Sequence, residues 1–188
     1  VIVYDDEGGG WAGRLIWTLD VLGHSNYALL NGGIFAWRNE GFTTSTESVA
    51  PQISTFKAEL RRDVIADMHD VLNSISDDNT KVWDARAPEE YDGTKVTALK
   101  NGHVPGAVNL DWVHMMDSKN NLKIRDLDEI RAQLAQVGIT KQVKVITHCQ
   151  THHRSGLTYF VGKLLGINIR AYDGSWSEWG NHPETPVE

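Results

Sequence analysis

The chain has 188 residues, of which 40% are hydrophobic and 23% are charged, and its formal net charge is −7. This is an ordinary globular composition, with enough residues for one good core or two small ones. The acidic balance argues against nucleic acid as a partner, because phosphate-binding surfaces are usually basic. We see no apolar run long enough to predict a transmembrane helix and no leader peptide, so no membrane association is expected.

Residues 1–41 predict the order strand, helix, strand, helix. VIVYDD (1–6) is predicted to be a buried strand, and WAGRLIWTLDVLG (11–23) a helix that follows a glycine-rich turn. YALLNGG (27–33) then predicts a second strand and turn, and IFAWRNEG (34–41) a short helix.

The remainder of the chain predicts a linker and a longer domain. Residues 42–55 are polar and rich in Ser and Thr, which is typical of a linker. Beyond them we predict a helix over IADMHDVLNSIS (65–76), the strand KVWDAR (81–86), a helix over DLDEIRAQLAQVG (126–138) and the strand VKVITHC (143–149). Strands that alternate with helices of this length predict an α/β fold, with a central, mainly parallel sheet flanked by helices.

The end of the chain repeats the order of the first segment. VKVITHC is followed by the turn QTHHRSG, a helix, a strand and a short helix, so that Asp5 aligns with Cys149 and Trp37 with Trp179. We interpret this as a duplication whose first copy lacks its N-terminal half, about 80 residues. We therefore expect either a fragment of a longer protein or a second polypeptide that supplies the missing strands.

Cys149 is the only cysteine, which excludes an intrachain disulfide and dithiol redox chemistry, and a free thiol favours the cytoplasm. It follows a buried strand, and the turn after it opens a helix, where α/β sheets place ligand sites. Backbone N–H groups at such a turn favour negative charge, so we predict a thiolate nucleophile or an anionic intermediate. A buried structural cysteine is disfavoured, because its neighbours QTHHR are polar.

Two other chemistries, metal binding and phosphate-ester hydrolysis, fit the pattern of this loop less well. Paired zinc ligands usually stand two to four residues apart, whereas His152 and His153 are adjacent, and His103 is expected to brace its own turn, so no metal is predicted. Protein tyrosine phosphatases place five residues between the cysteine and an arginine. Only four separate Cys149 from Arg154, and the shorter loop fits a single sulfur atom better than phosphate.

These motifs together resemble the rhodanese sulfurtransferases. The resemblance rests on the loop 149–154, on WDARAPEEY (83–91) and on NGHVPGAVN (101–109). Asp5 in the place of the cysteine resembles the tandem form of that family, in which only the C-terminal domain is active, and CQTHHR resembles a bacterial subgroup. Asp5 is therefore expected to be structural.

The resemblance implies a rhodanese-like catalytic domain over residues 56–188. Residues 42–55 would be the linker, and residues 1–41 the C-terminal half of an inactive rhodanese-like domain. A sulfur donor such as thiosulfate would load Cys149 as a persulfide, and a thiophilic acceptor such as cyanide would remove the sulfur, with no metal or organic cofactor. Two alternatives stay open: 3-mercaptopyruvate as the donor, or a sulfur carrier or binding module loaded by a partner protein.

The predicted site consists of the nucleophile and a set of substrate-binding residues. Those residues are Arg86, Gln150, Thr151, His152, His153 and Arg154. Gln150 and Thr151 are expected to contribute backbone N–H groups. His152 and His153 are expected either to gain charge below about pH 6.5 or to stay neutral donors to solvent.

The two arginines carry alternative expectations. Arg154 is expected to hold the anionic end of the donor or to brace the helix that follows it. By family analogy, Arg86 is expected to reach the site from the neighbouring strand end, or else to form a salt bridge with Glu89 or Glu90. Trp176 is expected to lie near the loop.

Overall fold

A computed structural model describes residues 1–188 of the chain. Strands and helices alternate along it. The strands are β1 (Ile2–Val3), β2 (Ala28–Leu29), β3 (Ile65–Ala66), β4 (Thr80–Asp84), β5 (Val108–Asn109), β6 (Met116–Asp117), β7 (Lys123–Ile124), β8 (Lys144–His148) and β9 (Asn168–Tyr172). The α-helices are α1 (Gly10–Val21), α2 (Gly33–Asn39), α3 (Met68–Ser74), α4 (Pro88–Tyr91), α5 (Leu127–Gln136), α6 (Arg154–Leu164) and α7 (Ser175–Trp179). Short 3-10 helices cover Arg62–Val64 and Trp112–Met115. No helix has the length and apolarity needed to cross a bilayer.

One five-stranded parallel sheet, in the order β3-β9-β8-β4-β5, confirms the predicted α/β fold. β8 is its central strand, and Val145 and Ile146, whose side chains point to opposite faces, are each 1% exposed. A parallel strand covered on both faces reads as a continuous apolar run, which explains the pattern VKVIT. Cys149 follows β8 at the carboxyl edge of this sheet.

The helix predicted over residues 65–76 was wrong at its start. Ile65 and Ala66 instead pair in parallel with β9 at the edge of the sheet. α3 begins after Asp67, whose side chain accepts a hydrogen bond from the backbone N–H of Asp70, while the Asp70 side chain accepts one from the N–H of Asp67. This reciprocal cap fixes the start of the helix.

The first segment has the predicted strands and helices, but its first strand is not buried. β1 and β2 form a separate two-stranded parallel sheet. Ile2 is 72% exposed and Tyr4 56% exposed, whereas Val3 between them is 5% exposed, so only one face of this strand packs on the protein. Residues 42–61, which follow α2, form neither helix nor strand.

The first segment joins the larger sheet domain through α1 and α6, which cross at two glycines. A Cβ atom on Gly13 would lie 2.3 Å from the carbonyl carbon of Gly156, and one on Gly156 would lie 2.4 Å from the backbone nitrogen of Arg14. Gly13 and Gly156 stand 143 positions apart, as Gly23 and Gly166 do. The helices therefore cross at two positions that the predicted duplication aligns with each other.

A buried polar cluster extends the same contact. Asp20 of α1 is 1% exposed, and the ammonium group of Lys163 in α6 contacts its carboxylate. The hydroxyl groups of Tyr159 and Tyr27 also donate to that carboxylate, at 2.8 and 2.9 Å. The buried Asp20 carboxylate is paired and fully hydrogen-bonded, so it stabilises the packing of α1 against α6 in one orientation.

Candidate active site

Cys149 is fully buried at the start of the loop between β8 and α6. Its carbonyl accepts a hydrogen bond from the backbone N–H of Trp176 at 2.9 Å and one from the Nδ1–H of His148 at 3.1 Å. Its own N–H donates to the hydroxyl of Ser175 at 3.4 Å. β8 and the start of α7 thus hold Cys149 from two sides, and the prediction that Trp176 lies near the loop is confirmed.

The loop over residues 150–155 has an unusual set of backbone donors. None of its N–H groups donates to another protein atom, although the carbonyls of Gln150 and His153 accept hydrogen bonds. The backbone reverses at His152, which has a left-handed φ of 56°. A run of unpaired backbone N–H groups at a left-handed turn before a helix forms a concave anion site.

The loop after β1, which the predicted duplication aligns with this loop, holds a carboxylate. Asp5 accepts hydrogen bonds from the backbone N–H groups of Glu7, Gly9 and Ala12 at 3.2, 2.9 and 3.0 Å. Its turn is made by glycine, with a φ of 98° at Gly8. Asp5 therefore supplies the negative charge that this kind of loop favours, which agrees with its expected structural role.

His152 is buried inside the loop. Its Nδ1 lies 2.8 Å from the hydroxyl oxygen of Ser155, and its ring packs edge-on against Trp17. Burial, with a smaller contribution from the charge of Arg14, lowers the pKa of His152 to about 3. The expectation that it gains charge below pH 6.5 was therefore wrong, as was the alternative that it donates to solvent.

His153 lies beside His152 but faces the first segment. Its Nε2 contacts the carboxylate of Glu7, and its ring centroid lies 4.3 Å from that of Trp11. His103 instead hydrogen-bonds the carbonyl of Tyr91. No group of three or more His, Cys, Asp or Glu side chains in the chain is arranged to hold a metal ion.

Arg154 lies at the end of the loop and pairs with Glu90, which was predicted as an alternative partner of Arg86. Its two terminal nitrogens donate to the two carboxylate oxygens of Glu90 at 2.6 and 2.9 Å. Burial raises the pKa of Glu90, but the hydrogen bonds and charge of Arg154 outweigh burial and hold that pKa below its usual value. A bidentate pair of this kind fixes the guanidinium at the start of α6.

Arg86 follows β4, the strand that pairs with β8, and is fully buried. Its Nε and Nη2 donate to the Asp84 carboxylate at 2.9 and 2.5 Å, and its guanidinium carbon lies 4.2 Å from the ring centroid of Trp176. The expected salt bridge with Glu89 or Glu90 was therefore wrong. Burial by itself raises the pKa of Asp84, but the nearby His148 and the hydrogen bonds and charge of Arg86 hold that pKa below its ordinary value.

The remaining predicted residues lie at the outer side of the loop. Gln150 is half-buried, and its side-chain amide donates to the carbonyl of Thr97 at 3.0 Å. Thr151 is exposed, and its carbonyl accepts a hydrogen bond from Arg14. Arg14 was not predicted to lie beside the loop, although the predicted duplication aligns its helix with the helix that follows the loop.

His152→Asn is expected to make the free energy of unfolding less sensitive to acid. The folded-state pKa of about 3 lies below the ordinary value of 6.5, so the unfolded chain binds a proton that the folded chain does not. Stability is then lost as the pH falls from 6.5 towards 3, with a slope of up to about 1.4 kcal/mol per pH unit from this group. Asparagine tolerates the left-handed backbone and does not titrate.

Urea unfolding measured at several pH values between 7 and about 4 checks this slope. Thr151→Ser, which changes an exposed side chain of the same loop and no titratable group, is the matched control and should leave the slope unchanged. The same slope for His152→Asn and the wild type would contradict the neutral, buried state of His152.

Comparisons with known proteins agree on one family. The profile of the rhodanese-like domain matches residues 67–182. The thiosulfate sulfurtransferase of Azotobacter vinelandii is 50% identical over all of this chain and 69% of its own length, and that of Pseudomonas aeruginosa is 51% identical with the same coverage. The solved structure of an anaerobic ergothioneine biosynthesis enzyme from Chlorobium limicola superposes with a TM-score of 0.90 at 24% identity. That match covers all of this chain and 50% of the other. The chain belongs to the rhodanese family.

Proposed function

We propose that the protein is a thiosulfate sulfurtransferase that works through a persulfide on Cys149. The Cys149 thiolate attacks the outer sulfur of thiosulfate, the S–S bond of the donor breaks, and sulfite leaves with the electron pair. The persulfide then gives its terminal sulfur to cyanide, which leaves as thiocyanate while the thiolate is restored. Each half-reaction is one nucleophilic displacement at sulfur, and neither requires a metal or an organic cofactor.

The run of unpaired backbone N–H groups over residues 150–155 is the observation that carries this proposal. In the equivalent loop, N–H groups of the same kind hold the carboxylate of Asp5. In the active loop, Cys149 stands in the place of that carboxylate, so a sulfur anion takes the equivalent position. Fixed N–H dipoles in a buried site stabilise such an anion without reorganisation, both as thiolate and as persulfide. Two relatives at about half identity carry the name thiosulfate sulfurtransferase, which supports thiosulfate as the donor.

The predicted substrate-binding residues take different parts in this proposal. Gln150 and Thr151 contribute backbone N–H groups, and His153, which is partly exposed, borders the approach to the loop. Arg154 contributes a positive charge whose strength Glu90 reduces by pairing. The remaining two residues are buried. His152 shapes the turn, where its ring contacts Ser155. The positive charge of Arg86 acts on the site across the ring of Trp176, against which its guanidinium packs.

Intact-mass analysis before and after incubation with thiosulfate tests the function. A gain of one sulfur atom, about 32 Da, that cyanide reverses is the expected result. A gain with 3-mercaptopyruvate but not with thiosulfate would replace the proposed donor. No gain with either compound would leave a carrier that only a partner protein loads, and would contradict the proposed enzyme.

We further propose that residues 1–41 are the second half of an inactive rhodanese-like domain, that residues 42–55 are a linker, and that residues 56–188 are the catalytic domain. We also propose that the protein is located in the cytoplasm. Another polypeptide segment, in the same protein or in a second one, would then cover the exposed side of β1. A groove of about 450 Å³ lies there, lined by Ile2, Tyr4, Leu30, Ile34, Trp37, Thr44 and Ser45. The N-terminal portion of a relative, added in trans, should raise the melting temperature, and no shift would count against such a segment.

A further inference from the structure

We propose that Arg14, which lies outside the matched rhodanese-like segment, is a positioning residue for the active-site loop. Its guanidinium holds the carbonyl groups of Thr151 and His152, so that the N–H groups that follow them face the sulfur of Cys149. The inference deepens the proposed sulfurtransferase function and rests on it. It also gives residues 1–41 a part in the chemistry.

The crossing of α1 and α6 makes this contact possible. Arg14 directly follows Gly13, whose backbone meets that of Gly156 at the crossing point. From there the Nη1 of Arg14 donates to the carbonyl oxygen of Thr151 at 3.0 Å and lies 3.5 Å from that of His152. Side chains larger than hydrogen at either glycine would separate the helices and withdraw the guanidinium from the loop.

Peptide geometry converts this contact into an orientation of the loop donors. In a planar trans peptide the C=O and the N–H of the next residue point in opposite directions, and every peptide bond in the chain is trans. If Arg14 draws the carbonyl of Thr151 towards α1, the N–H of His152 points away from α1. The carbonyl of His152 orients the N–H of His153 in the same way. Both of these N–H groups lack a protein acceptor.

The loop needs such support because His152 adopts a left-handed conformation, which is unfavourable for a residue with a side chain. In the first segment the aligned position is Gly8, which tolerates positive φ without support. Trp17, one helical turn beyond Arg14, packs edge-on against the ring of His152 at 4.6 Å between centroids. Two neighbouring side chains of α1 therefore hold the strained part of the loop.

The internal repeat provides a comparison within the molecule. Leu157 stands 143 positions after Arg14 and reaches from α6 towards the loop of the first segment, where a Cβ on Gly9 would lie 3.0 Å from its Cδ1 atom. Both loops are thus contacted from equivalent positions on the opposite helix. At this position of the opposite helix, only the loop that contains Cys149 is contacted by a hydrogen-bond donor. The donor Arg14 is therefore specific to the loop with the nucleophile.

Arg14→Met and Arg14→Lys test the proposal, because methionine keeps an apolar stem without donors whereas lysine keeps a charged donor. Steady-state turnover of thiosulfate and cyanide is measured together with the rate of Cys149 alkylation by iodoacetamide at neutral pH. Arg14→Met is expected to lower kcat about tenfold, the worth of about one net hydrogen bond, with less than a twofold change in KM. Its alkylation rate should fall in parallel, and Arg14→Lys should recover part of both losses.

Arg131→Met is the matched control, since Arg131 forms an exposed ion pair on α5, and it should leave both rates unchanged. An alkylation rate in Arg14→Met equal to that of the wild type would overturn the proposal. The alkylation measurement requires no sulfur donor. A wild type that alkylates but never accepts sulfur would therefore refute the proposed function while still reporting on the loop.

Discussion

Cys149→Ser is expected to lower thiocyanate formation from thiosulfate and cyanide by on the order of 10⁴-fold or more, which is the usual cost of removing a catalytic nucleophile. A serine hydroxyl is not ionised at neutral pH and does not form a stable bond to a transferred sulfur. The side chain is fully buried, and serine has the same shape, so the loop and its backbone N–H groups should stay in place. The effect should therefore appear in turnover and not in folding.

The absence of other cysteines makes this variant easy to interpret. Any sulfur that the wild type gains from a donor in a cyanide-reversible form is carried by Cys149, and the variant should gain none. Equal melting temperatures for the two proteins, within a few degrees, are the control for folding. Turnover in Cys149→Ser close to that of the wild type would show that the reaction does not pass through a persulfide of this chain.

The fold was largely predictable because burial leaves a clear pattern on the central strands. VKVIT reads as an apolar run because the central strand β8 is covered on both faces, and it places Cys149 at the carboxyl edge of the sheet. Ile65 and Ala66 were misassigned because two apolar residues before a helix fit either element. Only their pairing with residues of β9 that stand 106 positions later makes them a strand.

The position of Cys149 at the carboxyl edge of the sheet was also predictable, but the partners of the surrounding charges were not. Arg86 has Asp84, Glu89 and Glu90 within four residues, so sequence distance does not choose among them. Tertiary packing turns Arg86 inward to Asp84 and brings Arg154 to Glu90 from the start of α6. The buried state of His152 likewise depends on Trp17, which lies in the first segment, more than 100 residues earlier in the chain.

Asp84→Asn is the second change with a large expected effect, and it acts on stability. Asp84 and Arg86 are both fully buried, and the carboxylate accepts hydrogen bonds from the backbone N–H, the Nε and the Nη2 of Arg86. Asparagine keeps the shape but removes the charge, which leaves the guanidinium buried without a counter-charge. Breaking one side of a buried ion pair costs about 3–5 kcal/mol, and we expect a loss of that size in the free energy of unfolding, measured with urea.

The double variant Asp84→Asn/Arg86→Met is the informative partner of this change. Methionine removes the unpaired charge and keeps an apolar side chain beneath Trp176, so most of the lost stability should return. A loss of less than about 1 kcal/mol in the single variant would mean that another group already balances Arg86. If the stable double variant keeps the KM for thiosulfate, Arg86 acts only as internal support for Trp176. A raised KM would mean that the charge of Arg86 contributes to donor binding. The comparison is valid because the wild type and the stable double variant would both keep the fold that carries the loop.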